Sequence, residues 1–310
     1  MARFDFVTAG ESHGPGLTTI VEGMPAGLEL DREALDRDMA RRQLGHGRGG
    51  RMKIEKDTAE VRSGVRHGQT LGSPIALLVA NRDYENWVER MGPWESGDGV
   101  KQVHLPRPGH ADLPGLLKYG FEDARNVLER ASARETAARV AAGALARQFL
   151  EAVGVTIRSH VTRIASVAAP APHDLEPAAF VAVDDDPVRC LDPGSSAAMV
   201  EEINRLRKQN ESLGGTFEVR AWGLVPGLGS HVSWAEKLDG RIAQAMVSIQ
   251  SIKGVSIGPA WEVAASKGSD AHDEIFHDGS GAFRKAKASE TRLYSPRSFE
   301  LTRITLSGRL

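Results

Sequence analysis

The chain has 310 residues, of which 41% are hydrophobic and 26% charged, and its formal net charge is −2. This is the composition of a globular protein with enough chain for its own core, and it excludes disordered and membrane-embedded classes. The single cysteine, Cys190, excludes an intramolecular disulfide framework and a cysteine-based metal cluster. We therefore expect a cytoplasmic enzyme of one domain, residues 1–310, with no nucleic-acid or membrane partner.

Apolar or alternating segments bounded by Gly, Asp or Pro predict strands, and good helix formers behind a cap predict helices. The predicted strands are residues 4–7, 17–21, 52–61, 74–79, 155–167 (a strand or a hairpin) and 216–224. The predicted helices are 31–43 with Asp31 as cap, one long helix over 123–152, 195–210, and 233–249 with a capping box of Ser233 and Glu236.

Four segments carry more functional side chains than a scaffold requires. The first, residues 10–14 (GESHG), follows a predicted strand and exposes Ser12 and His13, although an ordinary surface loop explains it at least as well. The second, residues 41–51, holds four arginines and four glycines, a composition that suits oxyanions because Arg binds them bidentately and Gly permits close backbone approach. It is not a P-loop, and a solvated basic turn and a nonspecific RNA contact stay open.

The third segment, residues 104–112, places Arg107 between two prolines and His110 shortly after it. This pattern favours an anion-binding arginine beside a general acid, and it offers neither Cys nor paired carboxylates for a metal. The fourth segment, residues 125–136, lies on the predicted long helix, where Arg130 and Arg134 would share a face. A salt-bridged helix surface is the alternative there. Together the four segments are typical of a site for a multiply anionic ligand in which histidines move protons.

These motifs, in this order and spacing, resemble chorismate synthase over about residues 1–283. The matching stretches are GESHG at 10–14, 42–55 ending GRGGRMKIE, RPGHAD at 107–112, RASARET at 130–136, GVRHG at 64–68, LKY at 117–119, SIQSIKGVSIG at 248–258 and AHDE at 271–274. The resemblance implies an α+β fold, a β-α-β sandwich with long helices packed between antiparallel sheets. It also implies a homotetramer built as a dimer of dimers.

The reaction that the resemblance implies is the anti-1,4-elimination of phosphate from 5-enolpyruvylshikimate 3-phosphate to give chorismate, with reduced FMN. NADPH or an external reductase would reduce the flavin, and the sequence leaves that choice open. His110 is similar to the residue that protonates the departing phosphate, His13 to the one that manages the flavin proton, and Ser12 to an assisting hydroxyl. The remaining implied contacts are Arg42 and Arg48 for NADPH, Arg130, Ala131, Ser132, Gln250 and Ser251 for flavin, and Arg51, Arg107 and Arg134 for substrate anions; no metal is implied.

Three departures from the family accompany the resemblance. Ala131 stands where many members have Ser, and Pro259-Ala260 replaces Asp-Gly. Residues 284–310 form a divergent tail without the family's C-terminal flavin-binding Lys-Pro strand and its Asp-bearing motif. The alternative function is therefore a catalytically impaired flavin- or anion-binding relative, and a frameshift, a truncation or a replaced segment would each explain the tail.

Overall fold

The computed structural model describes residues 3–47, 55–170, 172, 175–225, 227–271, 275–277, 283–285 and 298–308, the last three ranges as backbone alone. Two compact units make up the chain: Met1–Leu44 with Gly49–Phe149, and Gly45–Arg48 with Leu150–Leu310. The single domain expected from the sequence stays a prediction.

The helices and strands of the described ranges are numbered here in chain order. The strands are β1 Asp5–Ala9, β2 Gly16–Glu22, β3 Ala26–Glu29, β4 Glu60–Val61, β5 Val65–Arg66, β6 Gln69–Leu71, β7 Ile75–Ala80, β8 Thr156–Ile164, β9 Val167–Ala168, β10 Leu213–Trp222, β11 Ile252–Val255, β12 Ile275–His277, β13 Phe283–Lys285 and β14 Ser298–Gly308. The helices are α1 Arg32–Gln43, α2 Val88–Met91, α3 Asp112–Tyr119, α4 Arg125–Leu128, α5 Thr136–Ala152, α6 Pro193–Arg207, α7 Leu238–Val247, α8 Ala260–Ala264 and α9 Gly268–Ala271.

The first unit packs α1 and α5 on one face of an antiparallel sheet of order β1-β2-β7-β4. Alternate residues of β2 and β7, such as Leu17 and Leu77, are buried there, as the period of two in a half-buried strand requires. The facing side of α5 carries small alanines, among them Ala138 and Ala141, which let the helix approach the sheet closely. β3, β6 and β5 form a second, three-stranded sheet.

The second unit is built on an antiparallel sheet of order β11-β14-β10-β8-β9. Met199 and Ile203 of α6 pack with Val188, Cys190 and Leu213 in one apolar cluster. A second cluster joins Phe180 and Val183, from the 3₁₀ segment Pro177–Asp185, to Trp222 of β10. Mixed helices and antiparallel sheets confirm the predicted α+β class.

The long helix predicted over residues 123–152 is wrong as a single element. It is divided into α4, a 3₁₀ turn Ala133–Glu135, and α5. Ser132 interrupts it with an extended backbone (φ −63°, ψ 144°), and its side chain accepts a hydrogen bond from the Arg134 N–H. A serine that caps the following turn competes with helix continuation, which the helix-forming residues around it conceal in the sequence.

Two further elements differ from expectation. The helix predicted from Ser233 begins at Leu238 after a 3₁₀ turn, and Ser233 makes no capping hydrogen bond. Of the strand predicted over 52–61, only β4 at Glu60–Val61 forms within the described residues. Asp31 does cap α1, as predicted, by accepting from the Glu33 N–H. No helix in the described ranges is both long and apolar enough to cross a membrane.

Candidate active site

The GESHG loop after β1 is bound to the break between α4 and α5. The Ser12 N–H donates to the Glu129 carbonyl at 3.0 Å. The Ser132 hydroxyl donates to the Ser12 hydroxyl at 3.1 Å. Two motifs that are more than a hundred residues apart in sequence are therefore joined in the first unit. The expectation that Ser12 is exposed is wrong: it is buried at this contact, with 3% of its surface accessible.

Arg130 adds a second connection between the same two segments. Its Nη1 donates to the Gly10 carbonyl at 3.2 Å, and its Nη2 donates to the Thr8 carbonyl at 2.7 Å. Gly10 has a φ of +111°, and a Cβ there would lie 2.3 Å from the Gly16 carbonyl oxygen, so glycine is required. Arg130 itself is exposed, which leaves its guanidinium accessible to an anion.

Arg134 lies in a different environment from Arg130, contrary to the expectation that they share a face. Its guanidinium is buried, where Nη1 donates to Asp57 at 2.6 Å and Nε to Asn81 at 2.8 Å. Asn81 in turn donates from Nδ2 to the Gly14 carbonyl at 2.7 Å. Arg42 donates to the other Asp57 oxygen at 3.1 Å. This ion-pair network supports the loop from inside, and the substrate and NADPH contacts expected of Arg134 and Arg42 stay predictions.

His13 is held between a carboxylate and an aromatic ring. Its Nδ1 lies 2.9 Å from Glu129 Oε2, and its ring stacks on Trp87 with centroids 4.0 Å apart. Glu129 is buried and also accepts from Arg125 Nη1 at 2.9 Å. Burial raises the pKa of Glu129, but hydrogen bonds from His13 and the charges of His13 and Arg125 outweigh burial and hold this pKa below its usual value.

The RPGHAD segment presents His110 at the start of α3. His110 is exposed, and its Nδ1 lies 2.9 Å from the Pro108 carbonyl, which can only accept. Arg107 donates from Nε and Nη2 to the buried Asp112 at 2.8 and 2.9 Å. These hydrogen bonds raise the pKa of Arg107 and lower that of Asp112, so both stay charged. The charge of Glu129 is a further and smaller cause of the raised pKa of Arg107.

The structure describes three more of the expected contacts. Gln250 and Ser251 follow α7 in the second unit, where Ser251 has a left-handed backbone with φ +71°. Ala131 is half-buried beside Arg130. Arg48 and Arg51 lie outside the described residues.

Four residues that position the site were not predicted from sequence: Asp57, Asn81, Trp87 and Glu129. Each acts through a partner distant in the chain, such as the 116 residues between His13 and Glu129, so no local pattern marks them. Among the residues described, no three His, Cys, Asp or Glu side chains are grouped to hold a metal ion. The site therefore offers hydroxyls, two histidines and accessible arginines, a donor set suited to phosphate and carboxylate oxygens.

The comparisons with known proteins agree with this donor set. The family model described as chorismate synthase matches residues 4–292. The chain belongs to the chorismate synthase family. The chorismate synthase of Desulforudis audaxviator (strain MP104C) is 56% identical over 279 residues, which are 90% of this chain and 72% of that protein. That of Symbiobacterium thermophilum is 56% identical over 277 residues, 87% of this chain and 71% of that protein.

A solved crystal structure of chorismate synthase superposes with a TM-score of 0.82 at 39% identity, covering 99% of this chain and 84% of that one. This result confirms the chorismate synthase fold. The family match also continues past residue 283, where the resemblance was expected to end, to residue 292. None of the comparisons favours the alternative of an inactive relative.

Proposed function

We propose that this lyase-family chain catalyses the reaction of its family: elimination of phosphate from 5-enolpyruvylshikimate 3-phosphate to give chorismate, with reduced FMN. The observation that carries the proposal is the set of hydrogen bonds between the GESHG loop and residues 129–132. These bonds bring together one histidine, two hydroxyls and an accessible arginine, namely His13, Ser12, Ser132 and Arg130.

The residues present fit a flavin phosphate and an anionic substrate. Arg130 is exposed, and the side chain of Arg107 is 41% exposed although it is paired with Asp112. An ion pair that still reaches solvent can share its guanidinium with a second anion, because Asp112 occupies only Nε and Nη2. We assign Nη1 of Arg107 to a substrate anion, and Arg130 with Ala131, Ser132, Gln250 and Ser251 to the flavin.

The chemistry that reduced FMN supplies in this family, when bound, is transient electron donation to the breaking C–O bond. His110 protonates the departing phosphate from Nε2, since its Nδ1 is engaged by the Pro108 carbonyl. His13 holds and moves the proton of the bound flavin. The Ser12 hydroxyl, which accepts a hydrogen bond from Ser132, assists His13 in this role. The arginines neutralise the phosphate as its charge develops.

Reduction of the flavin by NADPH through Arg42 and Arg48 is also part of the proposal. Arg42 already donates to Asp57, to the Thr136 hydroxyl and to the Ala133 carbonyl. A dinucleotide phosphate would have to share or replace these bonds. A separate test mixes the protein with oxidised FMN and NADPH, without a reductase, under anaerobic conditions. The absorbance of the flavin then shows whether it is reduced.

The deciding experiment is an anaerobic assay of the purified protein with substrate and chemically reduced FMN. We expect chorismate and inorganic phosphate in equal amounts. Flavin binding, measured by quenching of flavin fluorescence, without any product at saturating reduced FMN would contradict the proposal and support an impaired relative.

We also propose the family's homotetramer, a dimer of dimers. Exposed apolar side chains on and after α3, namely Leu113, Leu117, Tyr119 and Phe121, support a protein contact on this side of the first unit. Sedimentation velocity on the flavin-free protein measures the assembly, and a monomer at micromolar concentration would contradict it. The cytoplasmic location stays a prediction.

A further inference from the structure

The Glu129 side chain contacts His13 twice. One carboxylate accepts from the His13 backbone N–H at 2.9 Å, and it also lies 2.9 and 3.0 Å from the ring Nδ1. In this rotamer Nδ1 lies on the same side as the backbone N–H, since both atoms are 2.9 Å from the same Glu129 oxygen, whereas a ring turned by half a revolution about Cβ–Cγ would place Cδ2 there. A single carboxylate that bridges both atoms therefore selects one ring orientation.

The carboxylate is ionised and has little freedom to move away. Its side chain is 1% exposed, and Arg125 fixes it from one turn earlier at 2.9 Å. The groups that face it are His13, Arg125 and, through charge, Arg107. An ionised carboxylate can only accept hydrogen bonds, so the nitrogen beside it must carry a proton.

One face of the His13 imidazole stacks on the Trp87 ring. The two rings are inclined by 29° at a centroid separation of 4.0 Å, and Trp87 Nε1 donates to Asp83 at 3.0 Å. Arg125 lies over the same indole, 5.1 Å from its centroid. A turned imidazole would lose both the carboxylate and part of this stacking.

We propose that Glu129 is the positioning residue of His13: it holds the Nδ1–H tautomer and so makes Nε2 the atom that exchanges protons. The second nitrogen of a histidine takes its role from the hydrogen bond that the first one makes. The tautomer rests on the contacts above alone. Its use in turnover rests on the proposed function.

A purely structural role for Glu129 predicts different results. The backbone carbonyl of Glu129, which accepts from Ser12 at 3.0 Å, would still hold the loop after the side chain is replaced. Loss of the side chain would then reduce stability and leave the His13 tautomer unchanged.

The test is ¹⁵N NMR of histidine-labelled, flavin-free protein at alkaline pH, with His13 assigned by its absence in H13A. We expect the Nδ1–H form in the unmodified chain and conversion towards the Nε2–H form in E129L. E129A is the second variant should E129L fail to fold, because its smaller side chain admits water to Arg125. An unchanged tautomer in whichever variant folds would overturn the proposal.

Glu135 provides the matched control. It is buried, it pairs with an arginine one turn away at 2.9 Å, and it also accepts from the Thr8 hydroxyl at 2.7 Å. E135L should cost comparable stability and leave the His13 nitrogen shifts in place; conversion of the tautomer in E135L as well would overturn the assignment to Glu129.

The kinetic arm uses the same variants with reduced FMN. We expect kcat of E129L to fall about 10- to 100-fold, as for loss of an orienting partner, while KM for the substrate and Kd for FMN change less than threefold. E129D should recover part of kcat. If the unmodified chain makes no chorismate, the proposed function fails, whereas the NMR result still decides the tautomer.

Discussion

Each unit of the chain contains the same group of four side chains, a histidine, a glutamate, an arginine and an aromatic ring. In the first unit they are His13, Glu129, Arg125 and Trp87, and the histidine and glutamate are 2.9 Å apart. In the second unit the His160–Glu218 distance is 3.0 Å, Arg220 binds the glutamate at 2.7 Å, and the Phe180 ring lies against both His160 and Arg220.

The two groups differ in which nitrogen meets the carboxylate and in access to water. Glu129 binds Nδ1 of His13, whose side chain is 22% exposed. Glu218 takes Nε2 of His160, whose side chain is 0% exposed. Within the described residues the inner nitrogen, Nδ1 of His160, has no hydrogen-bond partner. We therefore expect the first group to serve proton exchange and the second to stabilise a sheet.

The comparison is tested most strongly by removing each histidine. H13A should lower kcat by about 10²–10⁴-fold, the usual contribution of a positioned acid or base, with little loss of stability. H160A should keep its activity per folded molecule and lose about 2–4 kcal/mol of unfolding free energy, because it leaves a cavity and an unpaired glutamate oxygen. The assay above and urea unfolding measure the two effects, and equal kinetic losses in both variants would break the comparison.

Replacing each glutamate should give the next largest effect, on the free energy of unfolding. E218L should destabilise the chain by about 3–5 kcal/mol, because it removes the carboxylate that Arg220 binds at 2.7 Å while the Arg220 side chain is only 1% exposed. E129L should cost less, about 1–3 kcal/mol, since Arg125 and His13 can both gain water. The urea midpoints of the two variants, measured without flavin, give the order; a larger loss in E129L would contradict it.

A pH series sharpens the same difference. Burial raises the pKa of Glu218, but hydrogen bonds from His160 and Arg220 and their charges outweigh it and lower this pKa below 4.5. The ionised glutamate therefore stabilises the fold above pH 4.5, and this contribution is lost as pH falls through the depressed native pKa. Urea midpoints between about pH 6 and 3 should fall less steeply in E218L than in the unmodified chain. E211L, at an exposed glutamate, is the control. If the urea midpoint of E218L falls with pH as steeply as that of the unmodified chain, ionisation of Glu218 does not contribute to the pH dependence of stability.

The sequence predicts the scaffold of this site better than its internal contacts. β1, β2, β7 and α1 follow from periodicity and an aspartate cap, and the motif loops are where the strands end. The break at Ser132 does not follow, because the helix-forming residues around it conceal the serine cap on the Arg134 N–H, and because its further bond to Ser12 is tertiary. No local pattern marks Glu129 either, because its partner His13 lies 116 residues away.

The aromatic rings give the smallest effect, and the most selective one. W87L removes the stacking on His13 and the cation–π contact with Arg125, which together are worth about 0.5–1.5 kcal/mol. Because Trp87 borders water, its loss leaves no sealed cavity, and the released imidazole gains freedom to turn. We expect kcat to fall by about twofold to tenfold with a loss of stability no larger than about 1.5 kcal/mol, and W87F to restore most of kcat. F180L should show the reverse, a loss in the urea midpoint with normal kcat, since Phe180 packs edge-on against His160 and Trp222 inside the second unit. If W87L instead lowers stability and spares kcat, Trp87 is part of the core, and the first group of four is no more open than the second.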